Sequence, residues 1–468
     1  MRDLAAGLSG SPRGHVVAPA GCGKTQLIAL AVRQESGKPQ LVLTHTHAGV
    51  HAIRRRMNLL GVPANAYRLD TIAGWGLALA SAYPRTSRLL DTDPVGAGWN
   101  EVYDAAARAL RAPALRAVVR ASYAGAYVDE YQDCTVRQHE MVLALADVLP
   151  CRVLGDPLQG IFDFRDEPSI DWDQHVFREF ALVGTPRVAY RWKSRNPSLG
   201  EWVGAARTAI EADEVLKIGP GTPVRWVPVD NEKEQVRLYY SAANRQGTTV
   251  IVRCYPQQCA NTARRLTGTF SVIETVELED LVEVAKILDA AKGTVAAAAV
   301  LDYVAGCVTG LTTEVRSRIV RAIAGKTRKP LPLDLQPSLA ALRELESSCT
   351  PDSALAAVDA LCADRTVFRR DALRAFRRTL QQKRADAEVS YREAARRVRN
   401  RARGGGAQVP RLGIGTTLRI KGLEFDHAIV VIDPRGRTFD RRNLYVALTR
   451  GCQSLTVVSS SPFVRAAT

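Results

Sequence analysis

Ala18-Pro19-Ala20-Gly21-Cys22-Gly23-Lys24-Thr25 lies between two apolar runs. His15-Val16-Val17 before it reads as the end of a strand, and Gln26 to Val32 after it as the first turns of a helix. In that frame a Gly-rich turn ending in Lys-Thr is a phosphate cradle. Small residues let backbone N–H groups turn onto phosphates at a helix N-terminus, Lys24 reaches the β- and γ-phosphates of a nucleotide, and the Thr25 hydroxyl ligates Mg²⁺. Ala18 stands where the strict pattern has glycine, a small-for-small change expected to keep the turn.

The chain has 468 residues, 46% of them hydrophobic, enough for about three domains of ordinary size. No apolar run approaches the roughly 20 residues that a membrane helix needs, and the first ten residues lack a signal-peptide core. A cytoplasmic location and no membrane partner are therefore expected. Nine cysteines without a C-x-x-C pair indicate neither a disulfide framework nor a zinc site. The net charge of +16 makes an anionic polymer the expected partner, because Lys and Arg neutralise phosphates and release counterions. Charge alone does not separate that reading from a surplus of solvated arginine.

Downstream, Leu41-Val42-Leu43-Thr44-His45-Thr46 reads as a second strand followed by a helix from Ala48 to Met57, and Thr71 to Gly76 opens another. Residues 85–122 are Ala/Arg-rich and helical, an insertion rather than a sheet element. Ala126-Tyr127-Val128-Asp129-Glu130 then places two carboxylates directly after a short apolar strand, where open α/β sheets bind ligands. Beside a phosphate loop, Asp129 would hold Mg²⁺ and Glu130 would orient and deprotonate the attacking water; on its own such a turn is more often a solvated loop. Cys151 to Asp156 repeats the theme, and Gln159 follows as a group able to hydrogen-bond the γ-phosphate.

With those blocks in order, the chain resembles a superfamily 1 DNA helicase of the UvrD/Rep group, in a compact form with short accessory insertions. The likeness rests on the phosphate loop, Val128 to Asp133, Gly155 to Phe162, Ala189-Tyr190-Arg191, Thr416 to Asp426 and Leu444 to Arg450, and covers about residues 15–290 and 410–468. It implies an α/β fold of two RecA-like P-loop NTPase domains with a mainly helical insertion in each. The expected boundaries are 1–183 for the first (insertion at about 85–122), 184–290 with 410–468 for the second, and 291–409 for a basic helical insertion.

The resemblance further implies an ATP hydrolase using Mg²⁺, with Arg191 and Arg450 as arginine fingers from across a cleft and Glu424 near the ribose. It implies single-stranded DNA and its junctions with duplex as partners, 3′-to-5′ movement, and DNA contacts from Thr46, Trp75 and Thr416. Phe164 takes the place of the family's base-stacking Trp, with a buried aromatic as the alternative. Three departures stand out: no glutamine segment to read adenine precedes the phosphate loop, and Ala73 and Leu418 stand where the family usually has His.

Between Arg365 and Arg403 there are 14 Lys/Arg against 4 Asp/Glu, and Phe368, Ala372, Phe376 and Leu380 recur at helical spacing. The charge is either a duplex grip or a solvated face; the apolar stripe is a core stripe. Three activities compete: a motor that translocates on and unwinds DNA, an ATP-switched DNA-binding subunit acting in repair or phage defence with a nuclease or repair partner, and a small-molecule kinase. The last leaves the blocks at Lys421 to Asp426 and at Arg450 unexplained.

Overall fold

The computed structural model describes residues 1–92, 94, 98–162, 167–274, 278–327, 330–405, 409–433 and 439–467. Its contacts divide into two compact units. The first comprises Met1–Arg225, Thr438–Leu455 and Pro462–Thr468, and the second Trp226–Arg437 and Thr456–Ser461.

Six strands build the sheet of the first unit: β1 (Arg13–Val17), β2 (Gln40–Thr44), β3 (Tyr67–Thr71), β4 (Gly125–Val128), β5 (Cys151–Gly155) and β6 (Ala181–Gly184). Their order is β3-β2-β4-β5-β1-β6, and every pairing is parallel. The central strands β2, β4 and β5 are buried along their whole length because both faces are covered. Successive side chains alternate between two cores. Leu41, Leu43, Ala126, Val128, Cys151 and Val153 join Ile72, Trp75, Tyr103 and Met141 in one. Val16, Val42, Tyr127 and Leu154 join Leu27, Ile28, Ile53 and Met57 in the other. The helix Gly98–Arg111, in the segment expected as an insertion, puts Tyr103, Ala106, Ala107 and Leu110 into the first of these cores.

A two-stranded antiparallel ribbon joins β7 (Leu216–Lys217) to the last strand, Phe463–Val464. The second sheet contains β8 (Val224–Pro228), β9 (Thr249–Arg253), β10 (Ser271–Val272), β11 (Leu412–Thr416), β12 (Phe425–Val431) and β13 (Gly451–Ser459), in the order β10-β11-β9-β12-β13-β8. The β10-β11, β11-β9 and β9-β12 pairings are parallel. Its core gathers Val227, Ile251, Phe270, Ile414, Ile429 and Val431. With two six-stranded sheets and helical segments inserted in each half, the α/β class and the RecA-like doubling expected from the sequence are what the chain adopts.

The helices between Glu279 and Gly405 carry a core of their own, built from Leu281, Val300, Leu342, Val358, Phe376 and Leu380 among others. Ala372, Phe376 and Leu380 lie on the helix Arg370–Ala385 and point into it. Phe368 does not: it precedes that helix and fills the sheet core instead. Its carbonyl accepts from Val272 N at 2.9 Å, so this segment covers the backbone edge of β10. No helix of the described residues is long and apolar enough to cross a membrane.

Candidate nucleotide site

Parallel pairing makes β1, β5 and β4 neighbours that end on the same side, with Val17 opposite Gly155 and Val128 opposite Val153. The loops leaving them are therefore adjacent, which brings together three segments far apart in sequence: Ala18 to Thr25, Asp129-Glu130, and Asp156 to Gln159. This is the carboxyl edge at which open α/β sheets place ligands.

Gly21 and Gly23 hold φ of 72° and 83°, a region that glycine enters without a Cβ penalty. A Cβ at Gly21 would also come within 2.7 Å of the Trp192 ring and 2.8 Å of Arg191 Cβ. Ala18, Pro19, Ala20 and Cys22 are outside the positive-φ set. That explains why Ala18 is tolerated: its backbone, held by an Ala18 N to Gly155 O bond of 2.8 Å, needs no glycine. Gly23 caps the helix Lys24–Gln34, so the loop delivers its N–H groups and Lys24 at a helix N-terminus, with Thr25 in the first turn.

Lys24 is 9% exposed, donates to Ala18 O at 3.3 Å and lies 3.9 Å from Glu130 Oε1. Burial pulls its pKa down, but the carboxylates of Glu130, Asp156 and Asp129 outweigh that and hold it above its ordinary value. Asp129 is buried, and burial, reinforced by the Glu130 charge, pushes its carboxyl up to about 7 against the pull of Lys24. Glu130 sits at φ 54° and ψ 39°, left-handed backbone that is costly for a residue with a side chain, and its N–H donates to Asp129 Oδ1 at 2.9 Å. Such strain is concentrated where geometry serves chemistry.

Gln132 ties these groups together. Its amide nitrogen donates to Glu130 Oε2, while its oxygen accepts from Asp156 N at 2.9 Å. Gln159, 6% exposed, donates to Asp156 Oδ2 at 2.7 Å. Arg191 and Arg450 lie in the same compact unit as the phosphate loop. Arg191 N donates to Gly21 O at 3.2 Å and its guanidinium to Thr449 O at 2.7 Å. Arg450 is 1% exposed and donates to Val446 O and Thr449 Oγ1 at 2.9 and 2.7 Å.

Two residues that motif reading passed over complete the site. Tyr445 Oη accepts from Ala20 N at 3.2 Å, directly on the loop. Arg207 donates to the fully buried Asp156 at 2.6 Å and lies 5.3 Å from the Tyr445 ring centroid. The signal for Arg207 was present: Leu199, Val203, Ala206 and Ile210 form the buried stripe of its helix, and position 207 falls within that stripe. A charge there needs a buried partner.

Of the remaining candidates, Thr46 is exposed and its hydroxyl caps the helix His47–Leu59 by accepting from Gly49 N at 3.0 Å. Trp75 is 6% exposed and packed in the core, in a supporting place without an open ring face. Thr416 is buried at the end of β11 and Glu424 is exposed, both in the second unit. Phe164 lies outside the described residues.

The donor set suits Mg²⁺, which takes one or two protein oxygens and leaves its other positions to water and phosphate. Thr25 offers a hydroxyl, and Asp129 a carboxylate whose crowding a cation would relieve. Among the described residues no group of three or more His, Cys, Asp or Glu side chains forms a metal cage of its own.

Comparison with solved structures finds arterivirus nonstructural protein 10, a helicase, alone (12% identity, 97% of this chain and 61% of that one, TM-score 0.39) and in complex with DNA (10%, 97% and 62%, 0.38). It also finds the helicase of PRRSV (12%, 98% and 54%, 0.35). The chain spans 54% to 62% of the length of these structures. No curated relative matches the sequence. Residues 96–168 match the UvrD/REP helicase N-terminal domain family. That segment carries Asp129, Glu130, Gln132, Asp156 and Gln159, and over it the chain is similar to that family.

Proposed function

We propose that this chain is an ATP-driven motor that travels 3′ to 5′ on single-stranded DNA and opens duplex at the junction. One observation carries the reading: in a UvrD/REP-like chain, Lys24, Asp129, Glu130, Asp156 and Gln159 meet at one sheet edge, in one compact unit with Arg191 and Arg450. Phosphoryl transfer asks for positioning and charge stabilisation rather than covalent chemistry, and this set supplies both. Incoming phosphate would draw Lys24 from Glu130 and take the Ala20 N–H from Tyr445, freeing Glu130 to orient and deprotonate water. Arg191 and Arg450 would neutralise charge developing on the γ-phosphate. Mg²⁺ bound with the nucleotide would supply further neutralisation, with Thr25 and Asp129 as the residues that hold it. The polarity, and contacts of Thr46, Thr416 and Phe164 with the strand, follow the family resemblance, as does Glu424 at the ribose.

A second reading, an ATP-switched DNA-binding subunit that works with a nuclease or repair factor, is favoured by the helix Gly98–Arg111. Its apolar side is spent on the core, which leaves little of that segment to grip duplex. ATP turnover with and without single-stranded DNA, followed by displacement assays on duplexes with 3′ or 5′ tails, tests both. A motor shows DNA-stimulated turnover and opens the 3′-tailed duplex. A switch shows stimulation without strand displacement, and an absence of stimulation excludes the two together.

A further inference from the structure

A side chain from the far end of the sequence already takes one N–H of the phosphate loop. Ala20 is 4% exposed, and its N–H donates to Tyr445 Oη at 3.2 Å. The two residues lie in the same compact unit. Backbone N–H groups of such a loop are the ones that cradle phosphate, and each has a single proton to give.

Tyr445 is held where it is from several sides. It is 1% exposed in the helix Arg441–Leu448, whose N-cap Asp440 accepts from Asn443 N at 2.8 Å. Arg442, on the same helix, donates to Gly160 O at 3.1 Å, which fastens that helix to the turn after β5. The Arg207 guanidinium lies 5.3 Å from the Tyr445 ring centroid while it donates to Asp156 at 2.6 Å. Burial, with the Asp156 charge adding to it and Arg207 opposing, pushes the phenol up to about 12, so Tyr445 carries a neutral hydroxyl at physiological pH. A neutral hydroxyl is the weaker acceptor here. Hydrogen bonds to an ionised oxygen are roughly twice as strong as neutral ones, so a phosphate oxygen that reaches Ala20 takes the N–H instead of sharing it. The bond to Tyr445 then belongs to the nucleotide-free protein alone, and breaking it opposes binding.

We infer that Tyr445 is a positioning residue that competes with nucleotide phosphate for the Ala20 N–H and so holds the affinity of the site down. The inference rests on the reading of Ala18 to Thr25 as a nucleotide-phosphate site. A competing role and a bracing one differ in sign. A hydroxyl that braces the loop with and without nucleotide would weaken binding when removed, whereas removing a competitor strengthens it.

Tyr445→Phe takes away the hydroxyl and keeps the ring. In the full-length protein with Mg²⁺, titrations with ATP and with inorganic triphosphate should both tighten by roughly 2- to 10-fold, the size of one net hydrogen bond. The factor should be the same for the two ligands, because the contest is at phosphate and not at the base. Without ligand the variant should melt below the parent, since a buried N–H has lost its partner. With saturating triphosphate the two should melt together, a comparison that holds even where the ligand-free variant is unfolded at the assay temperature. Weaker or unchanged binding in Tyr445→Phe, a gain confined to ATP, or a melting deficit that triphosphate leaves in place would each overturn the inference. A parent protein that binds neither ATP nor triphosphate refutes the underlying reading instead.

Discussion

Lys24 and Glu130 are 3.9 Å apart yet serve different steps, so removing each should fail differently. Lys24→Ala should abolish turnover and weaken nucleotide binding, whereas Glu130→Gln should bind ATP and stop hydrolysis. Near-parent turnover of Glu130→Gln at saturating ATP would remove it as the base. Arg191→Ala and Arg450→Ala should each lower the DNA-stimulated rate by about a thousandfold with a smaller change in ATP affinity, the signature of groups acting mainly in the transition state. Parent-like rates in both would show that neither faces the γ-phosphate. Protonation beneath the site is testable too. His139 is 2% exposed and bonded to Tyr131 Oη at 2.7 Å, and burial, helped by the charges of His175 and Arg13, lowers its pKa to about 4. A histidine kept neutral in the folded state binds its proton more readily when unfolded, so its contribution to stability is intact above about pH 6.5 and is lost as pH falls toward 4. Urea melts at pH 7.5 and 5 should show that loss, and His139→Gln should lessen it.

Elements were legible from the sequence to the extent that their chemistry was local. The ends of β1, β4 and β5 could be read because each apolar run stops at a glycine-rich or acidic turn. That β5 stands between the other two, and so brings Asp156 between the phosphate loop and Glu130, is a matter of strand order that no local pattern encodes. The helical stripe of Arg207 gives its place but not its partner, Asp156, 51 residues away, and the partner of Tyr445, Ala20, is 425 residues away. The four-residue spacing of Phe368, Ala372, Phe376 and Leu380 suggested one stripe, yet Phe368 belongs to the sheet core, since spacing reports helical phase and not where a helix starts. Two cores within one unit give a prediction. Phe376, fully buried at 4.5 Å from the Tyr303 ring, belongs to the helical core alone. Phe376→Ala should cost about 3–5 kcal/mol in a denaturant melt of that region while ATP binding persists. Loss of nucleotide binding at temperatures where the variant remains folded would show that the helical core supports the site as well.

Across the whole molecule the excess charge is unevenly useful. Ten of the sixteen net positive charges fall between Arg365 and Arg403, a concentration plain in the sequence, but the sum cannot say which of them are already spent. Arg369 is committed to Glu274 and Asp280, while Arg374 pairs with Asp371 and Arg384 with Asp352. Arg378 and Arg392 are exposed and make no ion pair among the described residues; Arg401 is exposed, and Arg397 only shares exposed acids. Exposed pairs such as those of Arg397 are worth little, so a phosphate can displace them at small cost. These four arginines are thus among those available to a nucleic acid, and replacing all four by Gln should weaken DNA binding and flatten its salt dependence. The slope of log K against log salt should fall by up to about 0.7 per lost contact on single strands and about 0.9 on duplex. ATP turnover without DNA should be unaffected, because none of the four touches the nucleotide site. A larger loss on duplex than on single strands would place this face at the junction, where a motor meets the helix it opens. Slopes unchanged on both substrates, in a variant shown to be folded, would make the segment a solvated face and leave DNA binding to the rest of the surface.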